Sequence, residues 1–169
     1  MNILIWTKTS AESNAKLITD TIEQIHLAKG DTVYKLIAED ITFNESGIKS
    51  CQEEISKAEM IYVTYSIEWG SYPFKFKESI DKILTYGFAY TYDGGSIKAL
   101  LINKKAKIIT TSGHPNDFYK EQIKAIHYLT KKTILEFVGI EEVGSINFGG
   151  RSHGKTEGFP IDELKSFIG

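Results

Sequence analysis

Cysteine is nearly missing from this chain: the lone Cys51 excludes an internal disulfide and reads as a small buried residue. A surplus of cations is missing too. Lys plus Arg number 20 against 22 Asp plus Glu, a formal charge of -2, so the phosphate-neutralising excess that nucleic-acid binding draws on is lacking and no nucleic-acid partner is expected. No apolar run approaches the roughly 20 residues of a membrane span. Met1 leads into an apolar stretch with no charged targeting region before it, and the expected location is cytoplasmic. Neither a Gly-rich dinucleotide fingerprint nor a Walker-type loop follows the first apolar run, so a phosphate bound there has to be held by hydroxyls. The four histidines show no metal-ligand spacing. His26 and His127 fall in helical patterns as surface or boundary residues, His153 falls in a loop, and no metal is expected.

What remains is the composition of an ordinary globular protein. At 169 residues, 41% hydrophobic and 12% aromatic, the chain is one domain, 1–169, with a full core. Residues 2–6 form an apolar run, a Thr/Ser-rich turn follows, and Ile18, Ile22 and Ile25 recur at helical spacing up to Gly30. Residues 32–37, 61–65 and 107–111 are largely β-branched and apolar, the pattern of buried parallel strands. Between them Phe76, Ile80, Ile83 and Leu84 share a helix face behind Pro73, and Tyr119, Ile123, Ile126, Thr130 and Ile134 share another that ends near Gly139. A strand around 143–148 and a helix opened by Pro160, with Ile161, Leu164 and Phe167 or Ile168 inward, complete five βα units. The expected fold is α/β, a doubly wound sheet of five parallel strands in the order 2-1-3-4-5 with helices on both faces.

That order opens a crevice at the carboxyl ends of the strands where the winding reverses, and three loops should meet there. The first, residues 7–14, offers the hydroxyls of Thr9, Ser10 and Ser13, the Asn14 amide and helix N-terminal N–H groups; it suits a phosphate, and equally a helix cap on Ser10 with Glu12 complementing the dipole. The second, residues 66–73, carries Trp69 and Tyr72, flat rings that either meet a flat ligand or cover the sheet end. In the third, residues 112–119, Gly113 permits close approach of backbone to a ligand or serves a tight turn, and His114 titrates near neutrality. The stretch 148–155, with the chain's single arginine, Arg151, reads as a mobile connector before a lid over the crevice. Glu53-Glu54 and Glu141-Glu142 diverge as neighbours, and Ser112 lacks the framing of a hydrolase nucleophile, so acid/base pairs and acyl transfer are set aside.

The run Ile67-Glu68-Trp69-Gly70-Ser71-Tyr72-Pro73 continues to Phe76-Lys77-Glu78-Ser79-Ile80-Asp81-Lys82-Ile83-Leu84 and to Gly87-Phe88-Ala89-Tyr90. Asn14 and Leu17, Asp93-Gly94-Gly95 before the fourth strand, Thr110-Thr111-Ser112-Gly113 after it and Phe137-Val138-Gly139-Ile140 complete the pattern. It resembles the NAD(P)H:quinone oxidoreductases of the flavodoxin-like fold over nearly the whole chain, and is most similar to the short bacterial type that includes the ancillary oxidoreductases of potassium efflux systems. The resemblance implies FMN or FAD as cofactor, NAD(P)H as co-substrate, and a homodimer with sites between subunits. The ring would lie against Ile67, Glu68, Trp69 and Gly70, Thr111, Ser112 and Gly113 would face its polar edge, and Thr9, Ser10, Ser13 and Asn14 would lie near the phosphate. Phe88 and Tyr90 would belong to a wall shared with the partner subunit; the short third loop lacks the family's usual Tyr and His arrangement, and His114 and Tyr119 are the substitutes it offers for catalysis.

The chain departs from the pattern at Thr7-Lys8, Glu12, Ser66 and Glu68. A carboxylate beside a phosphate is repulsive unless Lys8 offsets it, and Glu68 has to turn away from a bound ring. The expected function is two-electron transfer from NAD(P)H through flavin to a quinone-like acceptor by ping-pong kinetics. The alternative, which Glu12 and Glu68 favour, is a non-enzymatic flavodoxin-like binding module that regulates a partner such as a membrane transporter.

Overall fold

The computed structural model describes residues 1–151 and 155–169, so His153 lies outside the described residues. Five parallel strands form the sheet: β1 (Asn2–Thr7), β2 (Thr32–Ile37), β3 (Met60–Ser66), β6 (Lys104–Thr111) and β7 (Ile140–Phe148), in the order β2-β1-β3-β6-β7. Counted among the parallel strands alone, this is the expected 2-1-3-4-5. Alternation along each strand splits the core into two layers. In β1, Ile3 and Ile5 pack with Ile18 and Ile22 of α1 (Asn14–Ala28) and with Leu164 and Ile168 of α6 (Ile161–Ile168). Leu4 and Trp6 point the other way, against Ile55 of α2 (Glu45–Lys57), Phe76 and Ile83 of α3 (Phe74–Ile83) and Ile126 of α4 (Lys120–Leu129). The indole of Trp6 is anchored by donating to Ser79 Oγ at 2.9 Å.

Two additions were not expected. Between α3 and the fourth parallel strand, β4 (Tyr90–Asp93) and β5 (Ser96–Ala99) pair antiparallel as a separate hairpin. Its turn residues Gly94 and Gly95 both have positive φ, 57° and 85°, which suits a two-residue hairpin turn. The long helix ending at Gly139 passes through a π turn, Thr130–Leu135, before the short α5 (Glu136–Val138). Gly139, at φ 95°, stops it in the left-handed region.

One expectation is overturned. His26 is buried rather than at the surface or its boundary: Nδ1 lies 2.7 Å from Asp31 Oδ2 and Nε2 lies 2.9 Å from the Tyr62 hydroxyl. An isolated ring nitrogen would not survive that burial, and here both are satisfied.

Candidate functional site

The first loop caps α1 through Ser13, not Ser10. Ser13 Oγ accepts from Lys16 N at 3.1 Å and donates to Ser10 O at 2.9 Å. Glu12 therefore precedes the cap and lies outside the first helical turn, exposed to solvent. Thr9 is held by its backbone, whose N–H donates to Glu39 Oε2 at 3.3 Å. Lys8 reaches sideways: its Nζ lies 3.9 Å from Glu39 Oε1 and 3.6 Å from Glu68 Oε1. Glu68 thus has a cation beside it.

The second loop is a tight reversal. Glu68 and Ser71 exchange both backbone hydrogen bonds, at 3.0 and 2.9 Å, and the residues between them have positive φ, 51° at Trp69 and 73° at Gly70. Glycine takes that conformation at no cost; tryptophan does not. Trp69 is also wholly exposed, at 105% of its reference area, so no packing compensates the strain. Tyr72, just beyond, folds inward and donates to Thr130 Oγ1 at 3.1 Å.

The third loop is fastened to the end of β7. Ser112 N donates to Phe148 O at 3.1 Å, Gly150 N to His114 O at 2.8 Å and Arg151 N to Ser112 O at 2.9 Å. A Cβ on Gly149 would stand 2.4 Å from Asn116 Oδ1 and 2.8 Å from His114 O, so only glycine allows this approach. The described part of the Gly-rich stretch is therefore a fourth loop at the crevice rather than a loose connector. Beneath it runs a buried chain of hydrogen bonds: Thr110 Oγ1 donates to Asn147 Oδ1 at 2.8 Å, and Asn147 Nδ2 donates to Ser112 Oγ at 3.0 Å and to Asn116 Oδ1 at 2.7 Å. His127 Nε2 lies 2.8 Å from Thr110 Oγ1. With that hydroxyl's proton on Asn147, His127 is the Nε2–H tautomer and donates. Burial pushes its pKa down to about 4, so it is neutral at pH 7. The Ser112 hydroxyl is itself committed to His114 O at 3.0 Å.

Two cavities open between these loops. One, of about 200 Å³, is walled by Lys8, Ser10, Ser13, Asn14, Ile67, Glu68, Thr111, Ser112, Gly113 and Arg151, with Ala15 and Ser66. The other, of about 450 Å³, is walled by Ile67, Trp69, Gly70, Ser112, Gly113, His114, Tyr119, Gln122 and Ile123. His114 stacks on Phe118 at 5.1 Å and meets Tyr119 edge-on at 4.8 Å. Every residue expected to touch the flavin or to act in catalysis, except Thr9, lines one cavity or the other, and Ile67, Ser112 and Gly113 line both. Glu12 lines neither. Gln122 and Ile123 were missed; Arg151, which the sequence offered as part of a fourth loop but which was read first as a connector, is on the wall of the smaller cavity. Phe88 packs on the core, and Tyr90 lines a different cavity, between α3 and α5.

The residues present fit a flavin mononucleotide. Hydroxyls, two cations and the N-terminus of α1 converge on the smaller cavity, a donor set suited to a phosphate. At Gly113 the backbone is not left-handed and nothing lies within 4 Å of where a Cβ would stand, so neither conformation nor packing calls for glycine. The space it leaves open is the wall common to both cavities.

The model of a family described as having the flavodoxin-like fold matches residues 6–163. The chain belongs to that family. Within the flavodoxin-like proteins it is 29% identical to an uncharacterized NAD(P)H oxidoreductase of Haemophilus influenzae over 158 residues, 83% of this chain and 78% of that one. It is 30% identical over 100 residues to an FMN-dependent NADH:quinone oxidoreductase of Hydrogenovibrio crunogenus, 58% of this chain and 48% of the relative. Among solved structures, an NAD(P)H:quinone oxidoreductase from Methanothermobacter marburgensis superposes with a TM-score of 0.82 at 17% identity, over 99% of this chain and 97% of that one. The flavodoxin-like resemblance read from the sequence is borne out.

Proposed function

We propose that the protein is an FMN-dependent NAD(P)H oxidoreductase that passes two electrons to a quinone-like acceptor. The observation that carries this reading is the pair of cavities joined at Ile67, Ser112 and Gly113, cationic and hydroxyl-lined on one side, aromatic on the other. FMN is favoured over FAD by the names of the relatives. When bound, the flavin supplies the chemistry, accepting hydride from NAD(P)H and returning two electrons to the acceptor.

The chain's own part is binding and orientation. Lys8, Arg151, Ser10, Ser13 and Asn14 hold the phosphate against the α1 N-terminus. Ile67, Trp69 and Gly70 form the flat wall, and Thr111 to Gly113 face the polar edge of the ring. His114 and Tyr119 line the larger cavity and orient the acceptor there; no side-chain nucleophile is needed. One ring face used in turn by donor and acceptor would make their binding alternate. A second copy of the chain docks on the exposed ring cluster of the hairpin, where Tyr86 and Tyr92 stack at 5.9 Å and Phe137 meets Tyr90 edge-on at 5.1 Å. Among the described residues no helix is long and apolar enough to cross a membrane, and the proposed location is the cytoplasm. Of the features that favoured a purely regulatory module, Glu12 lies off the cavity wall, and Glu68, which is on that wall, has the Lys8 ammonium 3.6 Å away to offset its charge.

The test is steady-state oxidation of NAD(P)H by purified, FMN-supplied protein with a soluble quinone. Parallel double-reciprocal lines and a dimer in sedimentation are expected. Turnover no faster than free FMN gives overturns the reading.

A further inference from the structure

Along the sheet, the carboxyl ends of β2, β1 and β3 deliver Glu39, Lys8 and Glu68 in that order, and the one ammonium is shared by two carboxylates at 3.9 and 3.6 Å. The two are not equivalent. Glu68 lines the smaller cavity and Glu39 does not. The backbone of Glu68 is fixed, because its N–H and its C=O are both consumed by Ser71 in the turn, and its carboxylate is paired with Lys8. A carboxylate is therefore built into the wall of a cavity whose other charged groups, Lys8 and Arg151, suit an anion.

We propose that Glu68 sets both the affinity for FMN and the midpoint potential of the bound flavin. This rests on the function proposed above. Glu68 competes with the phosphate for Lys8 and so loosens the cofactor. It also opposes reduction. NAD(P)H gives up a hydride and leaves as NAD(P)+, and the ring gains two electrons, one proton and one net negative charge. A carboxylate at the cavity wall repels that added charge, with Lys8 as partial offset. The bound flavin is thereby held at a lower potential, a stronger reductant toward its acceptor.

The experiment compares wild-type protein with Glu68→Gln and Glu39→Gln, measuring FMN dissociation constants by fluorescence quenching and midpoint potentials by spectroelectrochemistry. Thermal melts check that the exposed substitutions leave the fold intact. Glu68→Gln is expected to bind FMN about fivefold more tightly, as for loss of a partly exposed charge interaction. Its potential is expected to rise by about 20 mV, since a tenfold change in a two-electron equilibrium is about 30 mV. Glu39→Gln, which removes the same charge from the other side of Lys8 but off the cavity wall, moves the potential less. Equal shifts in both variants, or no change in either quantity for Glu68→Gln, overturn the proposal while leaving flavin binding by the wild type standing. Binding by Glu68→Gln where the wild type binds none upholds it, and FMN binding by neither protein overturns both this inference and the function beneath it.

Discussion

Trp69 and Gly113 carry opposite lessons about single residues. Trp69 occupies a backbone conformation that costs a bulky residue on the order of 1–3 kcal/mol, and its exposed ring recovers none of that in the isolated chain. Trp69→Asn creates an Asn-Gly pair, the preferred occupant of such a turn. It is expected to stabilise the fold by about 1 kcal/mol in chemical denaturation while weakening flavin or acceptor binding; a loss of stability with unchanged binding would place the indole in a structural role. Gly113 has conformational room for a side chain and nothing to collide with. Gly113→Val is accordingly expected to keep its melting temperature and lose FMN affinity by about tenfold or more, the effect of filling a preformed wall. Both positions were legible in the sequence as crevice residues. Their backbone angles were not, because the choice between a tight turn and an open wall for Gly113, or between strain and ease for Trp69, depends on φ, which residue type alone leaves open.

At the scale of elements, the π turn after α4 explains how the second loop is anchored. Thr130 is buried, its hydroxyl donates to Ile126 O at 2.7 Å, and it accepts from the Tyr65 hydroxyl at 2.9 Å and the Tyr72 hydroxyl at 3.1 Å. One donor and two acceptor sites are all used. Thr130→Val is expected to cost about 2 kcal/mol by orphaning the buried Tyr65 hydroxyl, read from denaturant midpoints, and Tyr65→Phe added to it is expected to recover part of the loss. Lysines of β6 end two helices in a similar way: Lys104 Nζ donates to Ser56 O and Ala58 O at 2.7 and 2.8 Å, and Lys107 Nζ to Phe167 O and Ile168 O at 2.7 and 3.1 Å. They reach the carboxyl ends of α2 and α6 on opposite faces, where cations complement the helix dipole. The parallel strands were readable from their apolar runs, and the helix ends from Pro73, Gly139 and Pro160. The hairpin was missed although Asp93-Gly94-Gly95-Ser96 between Tyr-rich and Ile-bearing runs is a turn signal; it was absorbed into the connection before the next buried strand. The π turn left no comparable sign, since Thr130 and Ile134 keep an ordinary i, i+4 spacing.

For the whole molecule, the two core layers and the crevice follow from strand alternation and winding order, so the fold and the meeting of three loops could be read in advance. The fourth loop was only one of two readings, because its place depends on the close approach of Gly149 to the third loop. The His127–Thr110–Asn147 chain, with His127 half-buried, gives the molecule a pH dependence. The His127 pKa falls from 6.5 to about 4 on folding, so between those values the unfolded chain takes up a proton that the fold refuses. Stability should therefore decline as pH falls through that window, by at most about 3 kcal/mol. Urea midpoints at pH 7 and pH near 4.5 check this, and His127→Gln, which keeps a donor for Thr110 without titrating, is expected to flatten the slope. The central claim is that the joined cavities hold a working flavin. Anaerobic titration of FMN-incubated, gel-filtered protein with NAD(P)H tests it most directly: the account predicts a yellow protein whose visible band bleaches with about one equivalent of NAD(P)H per bound flavin, and a protein that emerges colourless would contradict it.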